Sequence, residues 1–404
     1  MTFKYIHTAD LHLDSPFISL GKVDHELANV LRDASLDALD NIVELAITEQ
    51  VNFVLFAGDI YDGARRGVRA QFRFLKGLRK LDEHGIRALV IHGNHDPISE
   101  GWSAISEFPA NTHFFSANHP ETLDFDFGDD HVTVTGMSFP TRHVTESLSR
   151  RFKVPAARGF HIAMLHTALD DSERGANYSP TWSTQLKASG FDYWALGHIH
   201  TRTEPGEHPF IVYPGNPIGR GFGANERGQK GVYLVTVKDG QADVDFRVTG
   251  NAVFLELTVD ASDFANISDL QDQVVNRLAQ VALESIVEYV ACRVVIDGRT
   301  SLYDALKRPD LNDDFLEALA DITLRRDVQI FWTSLLDQTL PLLDLTTVAD
   351  DSFLGVMVRQ SNEGKTDIQK ALAQVKEDFS GLDAQTLEEI KRRALERAAH
   401  LINQ

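Results

Sequence analysis

Leu89-Val-Ile-His-Gly-Asn-His-Asp-Pro97 is the stretch on which the fold turns. Three apolar residues, Leu89 to Ile91, run straight into a polar cluster built on Gly93. A strand buried on both faces ends in this way when it delivers side chains to the rim of a parallel sheet. Asn94 and His95 would then stand together at the carboxyl end, where open α/β sheets place their ligands. A neutral oxygen donor beside a titratable imidazole suits a metal site with an acid next to it. A Gly-Asn turn with a surface histidine fits the same residues, so the stretch alone leaves both readings open.

Outward from it the pattern is regular. The strand Lys4–Ala9 leads into Asp10-Leu-His12-Leu-Asp14. Leu27, Leu31, Leu36, Leu39, Ile42, Val43 and Ala46 carry the spacing of a helix over 24–50. The apolar strand Val51–Ala57 ends in Gly58-Asp59, a second helix covers Val68–His84, and Ile86–Ile91 carries the opening motif. A βαβαβ order implies a parallel sheet with right-handed crossovers. Further on, short strands are expected at 112–116, 123–127, 132–137, 160–165, 193–196, 210–213, 232–237 and 242–248. Two sheets with helices outside, an αββα layering, suit this order better than one doubly wound sheet. Near Thr249–Asn251 the character changes to a small βαβ-like unit over 254–296, and from Ser301 the chain reads as mostly helical. The expected regions are 1–250, 251–345 and a helical 346–404, the last holding an amphipathic segment interrupted near Ser380-Gly381.

Composition narrows the chemistry. The 404 residues, 43% hydrophobic and 24% charged, suit a globular protein of two or three domains. Cys292 is the only cysteine, which excludes internal disulfides and thiolate zinc sites. Any metal must therefore be held by His, Asp, Glu and Asn. The chain opens without the pattern of a signal peptide, and no apolar run reaches the roughly 20 residues of a membrane span. A cytoplasmic protein is expected. A net charge of −20, with 15 Lys+Arg against 27 Asp+Glu after residue 250, argues against indiscriminate nucleic-acid binding. Yet 65–87 holds eight basic residues against Asp82 and Glu83.

Five predicted strand ends present metal-competent side chains: Asp10 with His12, Asp59, Asn94 with His95, His166, and His198 with His200. Asp-x-His and His-x-His set alternate side chains on one face of an extended segment, as chelation requires. The order Asp10-x-His12, Gly58-Asp59, Gly93-Asn94-His95-Asp96, His166, Gly197-His198-x-His200 resembles the calcineurin-like metallophosphoesterases. More narrowly, Thr8–Asp14, Phe56–Asp59, Leu196–His200 and Tyr213–Arg220 resemble DNA repair exonucleases of the SbcD and YhaO type. The resemblance implies a four-layer αββα sandwich followed by a small α+β capping domain. It implies one metal on Asp10, His12, Asp59 and His200, and a second on Asp59, Asn94, His166 and His198. Imidazoles and oxygens without thiolate suit Mn²⁺, with Fe²⁺ or Zn²⁺ as alternatives. His95 is left over as the residue to protonate or stabilise the leaving oxygen. Asp62, three positions after Asp59, either orients His95 or is a surface turn residue. The remaining histidines, His7 and His161 among them, are read as surface or strand-packing residues, and His92 as a core or supporting one.

The implied activity is a DNA phosphodiesterase, exonuclease and by extension endonuclease, in repair. The alternatives are a phosphatase, a cyclic-nucleotide phosphodiesterase, or a non-catalytic subunit of a DNA-processing complex. Arg69 and Arg73, with Arg65, Lys76 and Lys80, form either a phosphate track or a solvated helix face. Asn216 and Arg220 lie in a Pro-Gly-Asn-Pro turn similar to a DNA-touching loop of the family, although the turn itself says only Gly-Pro. Expected partners are DNA, an SMC-like ATPase docking on the C-terminal helices, and a second copy of the chain, with no membrane. Packing of those helices on their own domain is the competing reading.

Overall fold

In the computed structural model the described residues are 2–342, apart from 14, 16–24, 64–65, 100–102, 129, 171–176, 205, 283–286, 309 and 321–327, together with Arg392 and Arg393. The expected helical region 346–404 thus falls almost wholly outside them, as does Asp14. The chain divides into two compact units. The first comprises Met1–Leu255, Ser285–Ala291 and Arg325–Phe331; the second comprises Glu256–Glu284, Cys292–Leu324 and the chain from Trp332 on.

The first unit begins with β1 (Thr2–Thr8), α1 (His25–Thr48), β2 (Phe53–Ala57), α2 (Val68–Glu83), β3 (Arg87–Ile91) and β4 (Thr112–Phe114). It continues through β5 (Glu121–Phe127), β6 (Asp130–Met137), β7 (Phe160–His166), α3 (Ser183–Lys187), β8 (Tyr193–Gly197), β9 (Phe210–Val212), β10 (Gly231–Lys238) and β11 (Gln241–Val248). One sheet runs β11-β10-β1-β2-β3-β4 and the other β5-β6-β7-β8-β9. From β1 to β4 the pairing is parallel, whereas β10 joins β1, and β11 joins β10, antiparallel. The second sheet is parallel from β6 to β9, with β5 antiparallel at its edge.

Side-chain pattern explains these positions. β2, β7 and β8 are buried along their whole length, as strands covered on both faces must be. Edge strand β5, Glu-Thr-Leu-Asp-Phe-Asp-Phe, alternates and keeps its carboxylates in water. Between the sheets lies an aromatic core that includes Phe3, Tyr5, Phe53, Phe160 and Tyr193, with Tyr5 and Phe53 stacked 5.1 Å apart. Emptying one such position to alanine costs about 3–5 kcal/mol. On the outer face of the first sheet, Leu36, Leu39, Ile42, Val43 and Ala46 of α1 share a core with Phe74 and Leu78 of α2. Val68 and Phe72, grouped by spacing with the apolar face of α2, are instead half exposed. The outer face of the second sheet is covered more thinly, by α3, a 3₁₀ turn at Leu148–Arg151 and the loop side chains around Trp194. The four layers expected are present.

The second unit is built on β12 (Ala252–Asp260), α4 (Ile267–Ala282), β13 (Tyr289–Asp297), α5 (Tyr303–Leu306), α6 (Leu311–Ala320) and β14 (Gln329–Asp337), in a sheet of order β12-β13-β14. Strand β14 corrects the expectation of helix throughout after Ser301. Its burial alternates weakly and its apolar residues bunch at Leu335-Leu336, so the period of two is blurred. No helix among the described residues is long and apolar enough to cross a membrane.

Candidate metal centre

The polar cluster sits where the carboxyl ends of β1, β2, β3, β7 and β8 meet. After β1 and β2 the backbones stay paired, with Asp10 N donating to Gly58 O at 3.0 Å and His12 N to Asp59 O at 3.0 Å. Turning the side chains inward puts Asp10, His12, Asp59 and His198 at positive φ, from 43° to 109°. Non-glycine residues rarely adopt that conformation, and it is held here by the packed strands around it. Gly93 is needed for space: a Cβ there would fall on the Asp59 carboxylate.

Two groups of donors result. On one side, His12 Nε2 and His200 Nε2 approach to 3.0 Å, and Asp10 completes a set whose ligand atoms lie within 4.8 Å of one another. On the other, Asn94 Oδ1 lies 3.1 Å from both His166 Nε2 and His198 Nδ1. Asp59 Oδ2 stands between the groups, 3.7 Å from His12 Nε2 and 3.3 Å from His166 Nε2. Asp10 also belongs to a set with Asp59 and His166. Such separations, roughly 3–4 Å, are those of donors sharing an ion held at about 2.1 Å. The residues present fit divalent metal, and all but the partly accessible His198 and His200 are buried.

The rings are fixed from behind. A carbonyl can only accept, so His166 Nδ1–H donates to Ala57 O at 3.0 Å and leaves Nε2 for the centre. His200 Nδ1–H donates to Glu226 Oε1 at 2.7 Å. His12 Nδ1 lies 3.2 Å from Asp62 Oδ1, and Tyr178 packs against the His198 ring at 4.7 Å. Burial lowers His198 to about 3 and His12 less far, keeping both rings neutral, as ligation requires. Burial also works to lower His166, but the Asp59 carboxylate beside it lifts the ring to about 9. Burial raises the Asp59 carboxyl, and His166 and His12 more than reverse this, holding it below the usual carboxylate range.

His95 stands beside these donors. Its backbone N–H donates to Asp59 Oδ1 at 2.9 Å and its Nδ1 lies 3.0 Å from Asp62 Oδ1. The hydrogen bond to Asp62 raises the pKa of His95. Asp62 in turn is held well below the usual carboxylate range by hydrogen bonds to His12 first and His95 second. One carboxylate therefore touches both rings, which the motif pattern did not anticipate. The adjacent Asp96 is buried and clamps the loop, accepting from Gly93 N at 2.9 Å and Ile60 N at 3.0 Å. Its neighbour His92 stacks on Phe114.

The expected DNA contacts fare differently. Arg69 and Arg73 do not stand free as a phosphate track: Arg69 pairs with Asp33 at 2.7 Å, and Arg73 forks onto Asp40 with Asp37 at 3.5 Å. Lys80 pairs with Glu44 likewise. Asn216 is buried rather than presented to substrate, and its Nδ2 donates to Glu226 Oε2 at 2.7 Å and to Ile218 O. Arg220 does reach the centre, donating to Ser15 Oγ at 3.1 Å and lying 3.6 Å from Asp62 Oδ1. Glu226 was missed altogether. Burial pushes its carboxyl up, but His200, Arg220 and Asn216 bring it down to about 2.

Buried imidazoles, carboxylates and one amide, converging from two packed sheets, define a metal-dependent hydrolase. The Calcineurin-like phosphoesterase family matches residues 3–202, and the middle domain of metallophosphoesterase YhaO matches residues 254–340. The uncharacterised metallophosphoesterase YhaO of Bacillus subtilis is 33% identical over 353 residues, covering 87% of this chain and 85% of that protein. The nuclease SbcCD of the same organism contains a polypeptide 23% identical over 274 residues, 59% of this chain and 67% of that protein. The DNA double-strand break repair protein Mre11 of Sulfurisphaera tokodaii is 27% identical over 204 residues, 49% of each chain. The chain belongs to the calcineurin-like metallophosphoesterases, enzymes that hydrolyse phosphoesters with divalent metal.

Proposed function

We propose that the protein is a dinuclear-metal DNA phosphodiesterase acting in repair, an exonuclease with endonuclease activity as an extension. The observation that carries this is the position of Asp59 Oδ2 between two donor groups, with His95 held alongside by Asp62. Asp10, His12, Asp59 and His200 hold one ion, and Asp59, Asn94, His166 and His198 the other. Mn²⁺ suits this thiolate-free set best. When bound, the ions supply an activated water and neutralise charge on the phosphate. The buried Asp10 and Asp59 keep two anionic groups aimed at the centre. His95, its Nδ1 on Asp62, directs Nε2 outward to give a proton to the leaving oxygen. Arg220, anchored near Asp62, adds positive charge at the rim.

Residues 251–345 act as a capping domain over the substrate, and 346–404 as helices that dock on an SMC-like ATPase, in the cytoplasm and with a second copy as a further partner. The names of the SbcCD and Mre11 relatives support DNA as the substrate. Cleavage of duplex and single-stranded DNA with Mn²⁺, by wild type and His95→Ala, tests the reading. Mn²⁺-dependent cleavage that falls at least a hundredfold in the variant is expected. Hydrolysis confined to phosphomonoesters or cyclic nucleotides would replace it.

A further inference from the structure

A second cationic region, apart from α2, faces the solvent beside the centre. Between residues 142 and 158 lie Arg142, Arg150, Arg151, Lys153 and Arg158, all exposed, against a single acid, Glu146. In a chain of net charge −20 this is a local reversal of sign. Arg151 is paired with Glu146, whereas Arg150 has no ion pair among the described residues. Thr145, Ser147, Arg150 and Arg151 line one side of a cleft of about 570 Å³, and Pro180 and Trp182 line the other. Trp182 is 42% exposed, although a Trp side chain in a monomer ordinarily covers most of its surface.

The cleft is tied to the metal centre by a short, braced segment. Tyr178 lies on the His198 ring, and the chain then runs to Pro180 and Trp182, no more than about 14 Å along an extended backbone. That segment pairs with the residues following His166: Ala168 N donates to Tyr178 O at 2.9 Å and Thr181 N to Ala168 O at 3.0 Å. Thr167 Oγ1 also donates to Ser179 O. The cationic side is strapped to the same segment, with Ser179 N donating to Val144 O at 2.7 Å and Leu148 N to Ser179 Oγ at 3.0 Å.

An exposed indole facing an uncommitted guanidinium, with hydroxyls between, is the chemistry that takes a nucleobase and its phosphate. We infer that the Trp182–Arg150 cleft binds an unpaired nucleobase of the DNA strand, a few nucleotides from the phosphate at the metal centre. Trp182 stacks on the base and Arg150 meets the adjoining phosphate. This rests on the reading of DNA as substrate, and it makes that substrate a strand with at least one splayed base. Free nucleotides carry the same chemistry, so the test separates the two sources.

Binding of fluorescein-labelled (dT)12 is measured in EDTA, where no cleavage occurs, with dTMP as competitor. Trp182→Ala is expected to weaken binding about tenfold, with Trp182→Phe within threefold of wild type. Arg150→Glu should lower the salt dependence by about one phosphate contact. Hydrolysis of bis(p-nitrophenyl) phosphate with Mn²⁺ should be unchanged in Trp182→Ala, which certifies the fold and the centre. (dT)12 affinity unchanged in Trp182→Ala overturns the inference. So does wild type that binds dTMP as tightly as (dT)12, which makes the cleft a free-nucleotide site. The substrate reading fails separately, if wild type hydrolyses the small diester yet cleaves no DNA; binding of (dT)12 through Trp182 is still decided in EDTA.

Discussion

The strand-end crown and the charged face of α2 hold much the same inventory of ionisable groups and use it in opposite ways. In the crown, Asp10, His12, Asp59 and His166 are buried and aim at common points. Along α2, Arg69, Arg73 and Lys80 are partly exposed and each is matched by a carboxylate of α1. Buried groups that converge without neutralising one another invite a ligand, because their desolvation is left uncompensated. Exposed groups already paired have little to offer one. Charge density alone does not mark a site; unsatisfied convergence does.

Substitutions should separate the two regions by orders of magnitude. Asp59→Asn, which weakens the one carboxylate between both donor groups, is expected to reduce phosphodiester hydrolysis at least ~10³-fold and to release metal on dialysis, read by elemental analysis. His95→Ala should slow turnover about 10²–10⁴-fold while metal content stays at the wild-type level, because its ring is not among the donors assigned to the ions. Retained metal in the first or lost metal in the second would break the division of roles. Glu226→Gln keeps the shape behind His200 but removes its charge; metal affinity by calorimetric titration should fall about 10–100-fold.

Beneath the crown, His7 sharpens the contrast through pH. Its Nε2–H donates to Leu196 O at 3.1 Å and its Nδ1 accepts from Tyr193 at 3.0 Å, and burial lowers its pKa to about 3. The unfolded chain takes up this proton near pH 6.5, the native chain only near 3. Stability from His7 is therefore complete above pH 6.5 and is lost as pH falls toward 3, by up to about 1.4 kcal/mol per pH unit. His7→Gln should flatten that slope in urea titrations. The smallest effect belongs to α2. Arg73→Ala should cost under about 1 kcal/mol, shrink further in high salt, and leave turnover unchanged. A large loss of activity there would restore the helix as a substrate contact.

The difference between these regions also explains what could be read in advance. Strands β1, β2, β3, β7 and β8 announce themselves as apolar runs that end in Asp, Asn or His, so their common rim follows from topology. The pairing on α2 was legible in principle. Asp33, Asp37, Asp40 and Glu44 recur on α1 at the same three-to-four spacing as Arg69, Arg73 and Lys80, but only docking of the helices turns two stripes into a ladder. Glu226 lies in the glycine-rich loop Gly219–Gly228, where no periodicity marks a functional residue. Asn216 misled for the opposite reason. A Pro-Gly-Asn-Pro turn looks exposed until the loop folds back over it.

Asp10, Asp59 and Asn94 come from one sheet, while His166, His198 and His200 come from the other. The donor groups thus straddle a seam, and the aromatic layer holding the sheets together also sets the width across which the donors face. A side chain deep in that layer, such as Tyr5 or Phe53, then acts as a shim. Altering its volume changes the gauge of a centre it never touches, so affinity for metal becomes a reading of how well the two sheets are packed.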